Sequence, residues 1–182
     1  VRILREETFS LQRMVREFSA FARLPTAVMQ PEDLLALVRD YTSRNKGQAA
    51  VVFVVNTGST ERPLPVSCDK AMLSQIFHNL VNNARLAKDP DPVQITFQFP
   101  KDPKWAVVDI VDDGPGVPDK LRDTLFDAYV TSRSTGDKEK GMGLGLAISR
   151  KIAFDHGGSL TLQQTGSTGT TFRLKLPLQT TS

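Results

Sequence analysis

Three short segments rich in asparagine, aspartate or glycine constrain what this chain can fold into more than any other feature. They are residues 78–84 (His-Asn-Leu-Val-Asn-Asn-Ala), 112–116 (Asp-Asp-Gly-Pro-Gly) and 141–146 (Gly-Met-Gly-Leu-Gly-Leu). Together they offer amide oxygens for a metal ion, a carboxylate for a nucleobase and bare backbone for phosphates. We therefore expect the fold to bring the three segments together in one nucleotide pocket.

The composition narrows the class of protein. The 182 residues are 40% hydrophobic and 24% charged, as in a globular protein with a buried core, and the net charge is +3. Because that charge is small and dispersed, it argues against a nucleic-acid ligand. The longest apolar run, residues 49–55, is far shorter than the roughly 20 residues of a membrane span. A single cysteine, Cys68, excludes an internal disulfide and agrees with a reducing, cytoplasmic compartment.

Residues 1–24 predict a helix that needs a partner. Apolar residues recur there at heptad spacing, which is typical of a coiled-coil seam: Leu4, Leu11, Met14, Phe18 and Phe21. The partner is either a second copy in a dimeric bundle or the rest of the same domain. Pro25 and Pro31 interrupt the helical pattern, so we place a domain boundary at residue 30. Pro31 is expected to begin a second helix that ends near Arg44.

The rest of the chain predicts an α+β fold. The expected strands are a continuous buried one over 49–56, a short partner over 63–67, and two hairpins over 93–99 with 105–111 and 159–164 with 170–176. The expected helices cover 69–88, with Asp69 as N-cap, 118–126 and 143–155. Hairpins with interspersed helices indicate a two-layer sandwich, in which helices cover one face of a mixed, mostly antiparallel sheet.

The first two polar segments have both chemical and purely structural explanations. Asn79 and Asn83 are four residues apart and share one side of a helix, where their amide oxygens suit Mg²⁺. The alternative is that both asparagines cap nearby backbone. Asp112 follows a strand, and its carboxylate can accept a hydrogen bond from an exocyclic amine, which favours adenine over guanine. The alternative there is a plain Asp-Gly turn.

The third segment places alternate glycines at the start of a helix, where unpaired backbone N–H groups suit phosphate. Its spacing matches neither the Walker loop nor the dinucleotide-binding motif. The preceding loop, residues 131–140, contains no hydrophobic residue. We expect it to be a mobile lid over the phosphates.

These segments resemble the N, G1 and G2 boxes of the ATP-binding domain of sensor histidine kinases, which has the Bergerat fold shared with gyrase, Hsp90 and MutL. Residues 125–133 resemble the F box of that family, and residues 169–172 its final Gly-Thr-x-Phe motif. The resemblance covers about residues 31–178. Residues 14–25 are similar to the second helix of the dimerisation and phosphotransfer domain, most of all in nitrogen-regulation kinases of the NtrY/NtrB kind. The resemblance to these kinases implies a helix-and-linker segment over 1–30 and a catalytic domain over 31–182.

The resemblance also implies roles for individual residues. Asn83 would hold Mg²⁺ together with the phosphates of ATP, and Asn79 would support the metal or the phosphates. Asp112 would read adenine, with Thr170 assisting through a water molecule. The further pocket residues that it implies are Gly114, Gly116, Val117, Thr131, Arg133, Gly141, Met142, Gly143, Leu144, Gly145 and Leu146. Leu86 and Ala87 replace basic and aromatic residues typical of the family, so we expect Lys88 to supply the missing cation.

The implied activity is the transfer of a phosphoryl group from ATP to a histidine, for relay to a response-regulator aspartate. Neither His78 nor His156 lies in the sequence context of an acceptor, so we expect that histidine on a phosphotransfer helix outside this chain. The expected partners are that helix, a second copy in a homodimer and a receiver domain, with no nucleic-acid or membrane contact by these residues. The whole protein could be an inner-membrane sensor with this part in the cytoplasm.

Three alternatives belong to other classes. ATP-hydrolysing relatives carry a glutamate general base four residues before the metal asparagine. Asn79 stands there and cannot take a proton, which argues against an ATP-gated clamp of the gyrase, Hsp90 or MutL type. The heptad seam disfavours a serine kinase of the anti-sigma type, and the full motif set disfavours a scaffold without nucleotide.

Overall fold

The computed structural model describes residues 25–58, 62–130 and 143–179. The helix predicted over 1–24 lies outside the described residues. Within the described part, the elements in chain order are β1 (Gln30–Asp33), α1 (Leu34–Arg44), β2 (Val51–Asn56), β3 (Pro65–Cys68), α2 (Lys70–Lys88), β4 (Val93–Gln98), β5 (Trp105–Asp112), a 3-10 turn (Asp119–Leu121), α3 (Gly145–Asp155), β6 (Ser159–Gly166) and β7 (Gly169–Pro177).

Among the described residues, the main sheet has five strands in the order β2-β4-β5-β7-β6. Strands β2 and β4 are parallel, whereas β4 with β5, β5 with β7 and β7 with β6 are antiparallel. Both predicted hairpins, β4–β5 and β6–β7, are confirmed. Strands β1 and β3 form a separate antiparallel pair. The prediction of an α+β sandwich with a mixed sheet is therefore confirmed.

The core lies between the helices and one face of the sheet. Alternate residues of β5 and β7 are buried on that face: Ala106, Val108, Ile110, Phe172, Leu174 and Leu176. Four aromatic rings pack in one group beneath α1 and α2, with centroids 5.4–6.5 Å apart: Tyr41, Phe53, Phe77 and Phe97. Burial of such large apolar side chains is the main favourable term in folding, so this cluster holds α2 on the sheet.

The prediction that Pro31 begins a helix was wrong. Pro31 lies in β1, opposite Ser67 of β3, and α1 begins only at Leu34. Asp33 is the N-cap, because its Oδ1 accepts hydrogen bonds from the backbone N–H groups of Leu35 (3.1 Å) and Leu64 (2.8 Å). The first bond caps α1, the second attaches the cap to the chain before β3, and a short strand pair tolerates a proline.

The prediction of a buried strand over 49–56 was right about the strand, which covers Val51–Asn56, but wrong about its burial. Strand β2 is at the edge of the sheet and pairs only with β4. Its inner side chains contact the core, whereas Val52 is 53% and Val54 38% exposed on the other face. The short strand β3, expected as its partner, pairs instead with β1. The helix predicted over 118–126 was wrong as well, because the structure has only a 3-10 turn over Asp119–Leu121 in that range.

No helix in the described ranges combines the length and apolar character needed to cross a membrane.

Candidate functional site

Helix α2 carries the first polar segment. Asp69 caps it, since its Oδ1 accepts from the backbone N–H groups of Ala71 (2.9 Å) and Met72 (3.1 Å), which have no partner inside the helix. The helix then buries one face on the sheet over five turns. Asn79 and Asn83 lie one turn apart beside that face, so the helix presents two amide groups along one edge.

The two asparagines differ in how the chain uses them. Asn79 Nδ2 donates to the carbonyl oxygen of Gly145 (3.0 Å) and to Ser149 Oγ (3.1 Å), both in the first turns of α3. Asn83 is exposed and has no hydrogen-bond partner among the residues that the structure describes. The capping alternative is thus realised by the amide nitrogen of Asn79, whereas the Asn83 side chain is available to a ligand.

The second segment begins where β5 ends. Strand register places Asp112 opposite Thr170 of β7, and Thr170 opposite Thr165 of β6. Thr170 is 5% exposed and continues the alternation of buried residues along β7, so it faces the helices. The three polar side chains therefore form a row across the end of the sheet, on its helix-covered face.

Asp112 is a half-buried carboxylate, and one of its two oxygens has partners among the described residues. Its Oδ1 accepts from the backbone N–H groups of Gly114 (2.9 Å) and Thr170 (3.2 Å). Burial nevertheless raises the pKa of Asp112 above its ordinary value, and the nearby Asp113 adds to the rise. Its Oδ2 has no partner within the described ranges. The backbone fixes the carboxylate while leaving one oxygen to accept from a ligand amine.

Thr165 is a member of the row that the sequence did not indicate. Its Oγ1 accepts from the backbone N–H of Val117 (2.7 Å) and lies 3.4 Å from Thr170 Oγ1. Thr165 thereby holds the loop after Asp112 against the end of the sheet. The signal that could have found it is its position directly across the β6–β7 hairpin from Thr170.

Two glycines allow close approaches that other residues would block. Gly116 has φ +84°, and a Cβ there would collide with the carbonyl oxygen of Gly166. Gly143 has φ +70°, and a Cβ there would collide with the carbonyl oxygen of Val130. The first contact joins the loop after β5 to the β6–β7 turn, and the second joins the G2-like segment to the F-box-like segment.

Lys88, the predicted substitute cation, forms an ion pair at the end of α2. Its Nζ lies 2.8 Å from Asp113 Oδ2, and Asp113 Oδ1 accepts from the backbone N–H of Gln94 (2.9 Å). Burial would raise the pKa of Asp113, but the Lys88 and Gln94 hydrogen bonds outweigh it and lower that pKa. The ion pair joins the end of α2 to the residue after Asp112. A role for Lys88 toward phosphate stays a prediction.

The third segment is described only from Gly143. Tyr129 donates its backbone N–H to the carbonyl oxygen of Gly143 (3.1 Å), and Leu144 is 1% exposed before α3 begins at Gly145. Of the side chains that the structure describes, none caps the first turn of α3. The predicted residues Thr131, Arg133, Gly141 and Met142 lie outside the described residues, and so does the predicted lid, 131–140.

The F-box-like segment is anchored by Phe126. Its ring packs edge-on against Phe172 of β7, with centroids 6.1 Å apart, and the Arg150 guanidinium of α3 lies 5.4 Å from its centroid. These two contacts attach the F-box-like segment to α3 and β7.

A cleft of about 580 Å³ opens between the end of α2, the loop after β5 and the β6–β7 turn. Its lining residues are Leu86, Ala87, Pro115, Gly116, Val117, Pro118, Asp119, Arg122, Gly166 and Ser167. Leu86 and Ala87 carry neither ring nor charge, so the α2 side of this cleft is apolar.

We refer below to Asn79, Asn83, Asp112 and Thr170 as the candidate pocket. Comparisons with known proteins identify the family of the chain. Residues 68–180 match the histidine kinase-, DNA gyrase B- and HSP90-like ATPase family. The chain belongs to that family, and the domain therefore binds ATP.

Individual relatives define the class more closely. The nitrogen regulation protein NtrY of Azorhizobium caulinodans is 36% identical over 159 residues, covering 82% of this chain and 19% of the relative. The mycobacterial sensor histidine kinase MprB has a TM-score of 0.67 at 26% identity, covering 84% of this chain and 99% of that structure. Histidine kinase ThkA in complex with response regulator protein TrrA has a TM-score of 0.74, covering 98% of this chain and 50% of that one, and at 22% identity it shows the fold alone. Within the family, this chain is the ATP-binding catalytic domain of a two-component sensor histidine kinase.

Proposed function

We propose that the domain binds ATP with Mg²⁺ and donates the γ-phosphoryl group to a histidine outside this chain. An imidazole nitrogen forms the new bond to phosphorus, the bond to the β-phosphate oxygen breaks, and ADP leaves. A response-regulator aspartate then receives the group. The observation that carries the proposal is the row of Asp112, Thr170 and Thr165 on the helix-covered face of the sheet. The Asp112 carboxylate in that row has one oxygen without a partner in the described ranges.

Asp112 recognises the adenine. One of its oxygens is held by two backbone N–H groups, so the other can accept from the exocyclic amine without the side chain rotating away. Guanine presents a carbonyl oxygen in place of that amine, and a carboxylate oxygen repels it. Thr170 lies beside Asp112, where its hydroxyl supports a water molecule on the purine.

Mg²⁺ fits the donors that the chain offers only if ATP supplies most of its ligands. No group of three or more His, Cys, Asp or Glu in the described part of the chain could hold a metal ion. Asn83 instead offers one exposed amide oxygen with no competing partner there. Mg²⁺ prefers such hard oxygens, completed by phosphates and water, and when bound it neutralises charge on the phosphates.

Asn79 supports transfer to a protein acceptor over hydrolysis. It stands where hydrolytic relatives carry a glutamate, and its amide nitrogen donates to Gly145 and Ser149. An amide cannot accept a proton from water at neutral pH, so this position supplies no general base. An ATP-gated clamp of the gyrase, Hsp90 or MutL type is accordingly the weaker candidate.

The acceptor and the other partners lie outside this chain. His156 is buried with both ring nitrogens in hydrogen bonds, which makes it unsuitable as the acceptor. The chain spans 19% of the NtrY relative, so we assign the phosphotransfer helix, the homodimer and the sensing function to the rest of the protein. The ThkA–TrrA complex supports a response regulator as partner, and the NtrY relative supports a role in nitrogen regulation. ATP is a cytoplasmic substrate, which supports a cytoplasmic location.

The remaining assignments belong to the same proposal. We keep the domain boundary at residue 30 and the phosphate-lining role of the glycine-rich segment. The pocket residues beyond those argued above are Lys88, Gly114, Gly116, Val117, Thr131, Arg133, Gly141, Met142, Gly143, Leu144, Gly145 and Leu146.

Calorimetric titration followed by phosphoryl transfer in trans tests the proposal. ATP is titrated into the chain with and without Mg²⁺, and GTP serves as the comparison ligand. We expect Mg²⁺ to strengthen ATP binding and GTP to bind much more weakly. With γ-labelled ATP, the label should then reach a histidine of the separately purified phosphotransfer domain. Release of labelled phosphate without an acceptor, or ATP-driven dimerisation in sedimentation, would instead favour the clamp.

A further inference from the structure

His156, just after the last turn of α3, is a buried titratable group that the proposed reaction does not use. It is 3% exposed. Its Nε2 accepts a hydrogen bond from the backbone N–H of Asp69 (2.9 Å), and its Nδ1 lies 2.7 Å from the carbonyl oxygen of Ile152. Because a carbonyl oxygen can only accept, Nδ1 carries the proton and Nε2 is bare. The neutral ring thus connects the end of α3 to the residue that precedes α2.

Asp69 makes two further connections through its carboxylate. Oδ1 caps α2, as described above, and Oδ2 accepts from the backbone N–H of Val28 (2.9 Å). Val28 belongs to residues 25–29, the segment that leads into the domain. One residue therefore joins the entering segment, the start of α2 and, through its own N–H, the end of α3.

The His156–Asp69 hydrogen bond is one tie, or hydrogen-bonded contact, between these helices, and the Asn79 side chain makes a second. It lies ten residues after Asp69 on α2, whereas Gly145 lies eleven residues before His156 on α3. At 1.5 Å per residue, the two ties are about 15 Å apart along α2 and about 16 Å along α3. Since the two spans match and the helices run antiparallel, fixing one tie fixes the register at the other.

We propose that His156 and Asp69 form a positioning joint for the candidate pocket. The joint sets the register of α2 against α3, so that Asn79 and Asn83 face the same nucleotide as the glycine-rich start of α3. It also links that register to residues 25–29, which precede β1. The consequence for ATP binding rests on the proposed function, whereas the joint itself rests on the hydrogen bonds alone.

A local capping role predicts something different. If His156 only satisfied the Asp69 N–H, its loss would loosen the nearest turns and leave the far ends of the helices unchanged. A positioning role requires a response about 15 Å away, at residues 145–149, because rigid helices carry the displacement along their length.

Two substitutions separate the donor and acceptor functions of the ring. In His156→Asn, the shorter amide can still donate to the Ile152 carbonyl but does not reach the Asp69 N–H. In His156→Gln, the longer side chain places an amide oxygen near the position of Nε2 and can accept from Asp69. Phe154→Ala is the matched control, because Phe154 is on the same helix end and its side chain is 73% exposed.

The experiment combines imidazole ¹⁵N NMR shifts of the wild-type chain with two measurements on all four proteins. These are amide hydrogen exchange without nucleotide and Mg–ATP affinity by calorimetry. We expect the Nδ1–H tautomer in the wild type. His156→Asn should speed exchange at residues 145–149 and weaken Mg–ATP binding roughly tenfold, within the usual range for coupled sites. His156→Gln should recover most of both effects, and Phe154→Ala should match the wild type.

Three results would overturn the joint. One is the Nε2–H tautomer in the wild type, which needs no variant to fold. Another is faster exchange in His156→Asn confined to residues 154–158, with unchanged affinity. The third is equal damage in His156→Gln and His156→Asn. If the wild type fails to bind ATP, the proposed function fails, whereas the tautomer and the exchange pattern still decide the joint.

Discussion

The polar side chains of the joint have hydrogen-bond partners within the chain, whereas some of those in the candidate pocket have none among the described residues, although α2 contributes to both. At the joint, both nitrogens of His156 and both carboxylate oxygens of Asp69 are in hydrogen bonds. In the pocket, Asn83 and one oxygen of Asp112 have no partner in the described ranges. Buried or half-buried polar groups normally find partners within the chain. The unpaired oxygen of the half-buried Asp112 is therefore available to a ligand, and the exposed Asn83 presents its amide to solvent.

The two aspartates also differ in the sign of their electrostatics. The hydrogen bond from Val28 lowers the pKa of Asp69, whereas burial raises the pKa of Asp112. A lowered folded-state pKa means that the ionised form stabilises the fold at pH values above the ordinary pKa. A raised one means the reverse, so ionised Asp112 reduces stability at neutral pH. Ionised Asp69 therefore stabilises the fold, whereas ionised Asp112 destabilises it.

Asp112→Asn gives the largest effect and tests that contrast. The amide retains an oxygen for Gly114 and Thr170 but loses the acceptor for adenine. We expect ATP affinity to fall by about 10- to 100-fold, since a hydrogen bond to a charged group contributes about 1.5–3 kcal/mol. The melting temperature of the nucleotide-free protein should rise, because a half-buried charge is removed. Calorimetry and thermal unfolding measure the two changes.

Asp113→Asn is the control for that prediction. The pKa of Asp113 is lowered through Lys88 and Gln94 even though burial opposes this, so its ionised form stabilises the fold. The same substitution one residue away should therefore lower the melting temperature. If both variants shift it in the same direction, the difference in sign between Asp112 and its neighbours does not exist.

Asn83→Ala is expected to weaken only the part of ATP binding that depends on Mg²⁺. The side chain is exposed and unpaired within the described part of the chain, so its removal should leave the melting temperature unchanged. With Mg²⁺ present, ATP binding should weaken about tenfold, or about 1.4 kcal/mol, and with EDTA it should not change. Asn82→Ala is the matched control, because Asn82 is the same residue type one position away. Equal losses with and without metal would contradict the assignment.

The sequence predicted those parts of the fold that depend on local pattern. The Asp69 cap of α2 and the two hairpins follow from patterns in short stretches of the chain. Asn83 and Asp112 were chosen in the same way, and their roles as site residues stay predictions. Sequence reasoning failed at Pro31, because Gln30–Asp33 pair with the distant strand β3 and α1 begins only after that pairing ends. It also failed to place β2 at the sheet edge, since strand order is a property of the whole sheet.

The partners of the site residues were hidden for the same reason. Thr165 supports the pocket because strand register aligns it with Thr170. His156 reaches Asp69 across eighty-seven residues, only because α2 and α3 pack antiparallel. A single sequence gives no direct signal for either contact. Local chemistry therefore identified which groups could bind, and the tertiary fold decided which of them are held and which are left free.

Asn79→Ala tests the residue that belongs to both regions. Its amide nitrogen joins α2 to α3, while its position places it in the pocket. We expect a loss of about 1 kcal/mol in the free energy of unfolding, since each hydrogen bond contributes about 0.5–1.5 kcal/mol and Ser149 still donates to Gly145. Denaturant unfolding measures this loss. A stable variant with weakened ATP binding would show that Asn79 serves the ligand alone.

Asp69→Asn is the smallest and most specific test. Asparagine is as good an N-cap as aspartate, so α2 keeps its cap, but an NH₂ group replaces the oxygen that accepts from Val28. The stability that ionised Asp69 provides is present above its unfolded pKa of about 3.9 and disappears as the pH falls through the lower folded-state pKa. The variant should therefore be slightly less stable than the wild type at pH 7 and equal to it in strong acid, as measured by urea unfolding across pH.

Asp33→Asn provides the control, because both hydrogen bonds of that N-cap use Oδ1 and its Oδ2 has no partner among the described residues. Faster amide exchange at Val28 in Asp69→Asn alone would show that the second oxygen, and not the cap, holds the entering segment to α2. Equal behaviour of the two variants would mean that residues 25–29 are not attached through Asp69, and the contrast between joint and pocket would then be limited to the helix pair.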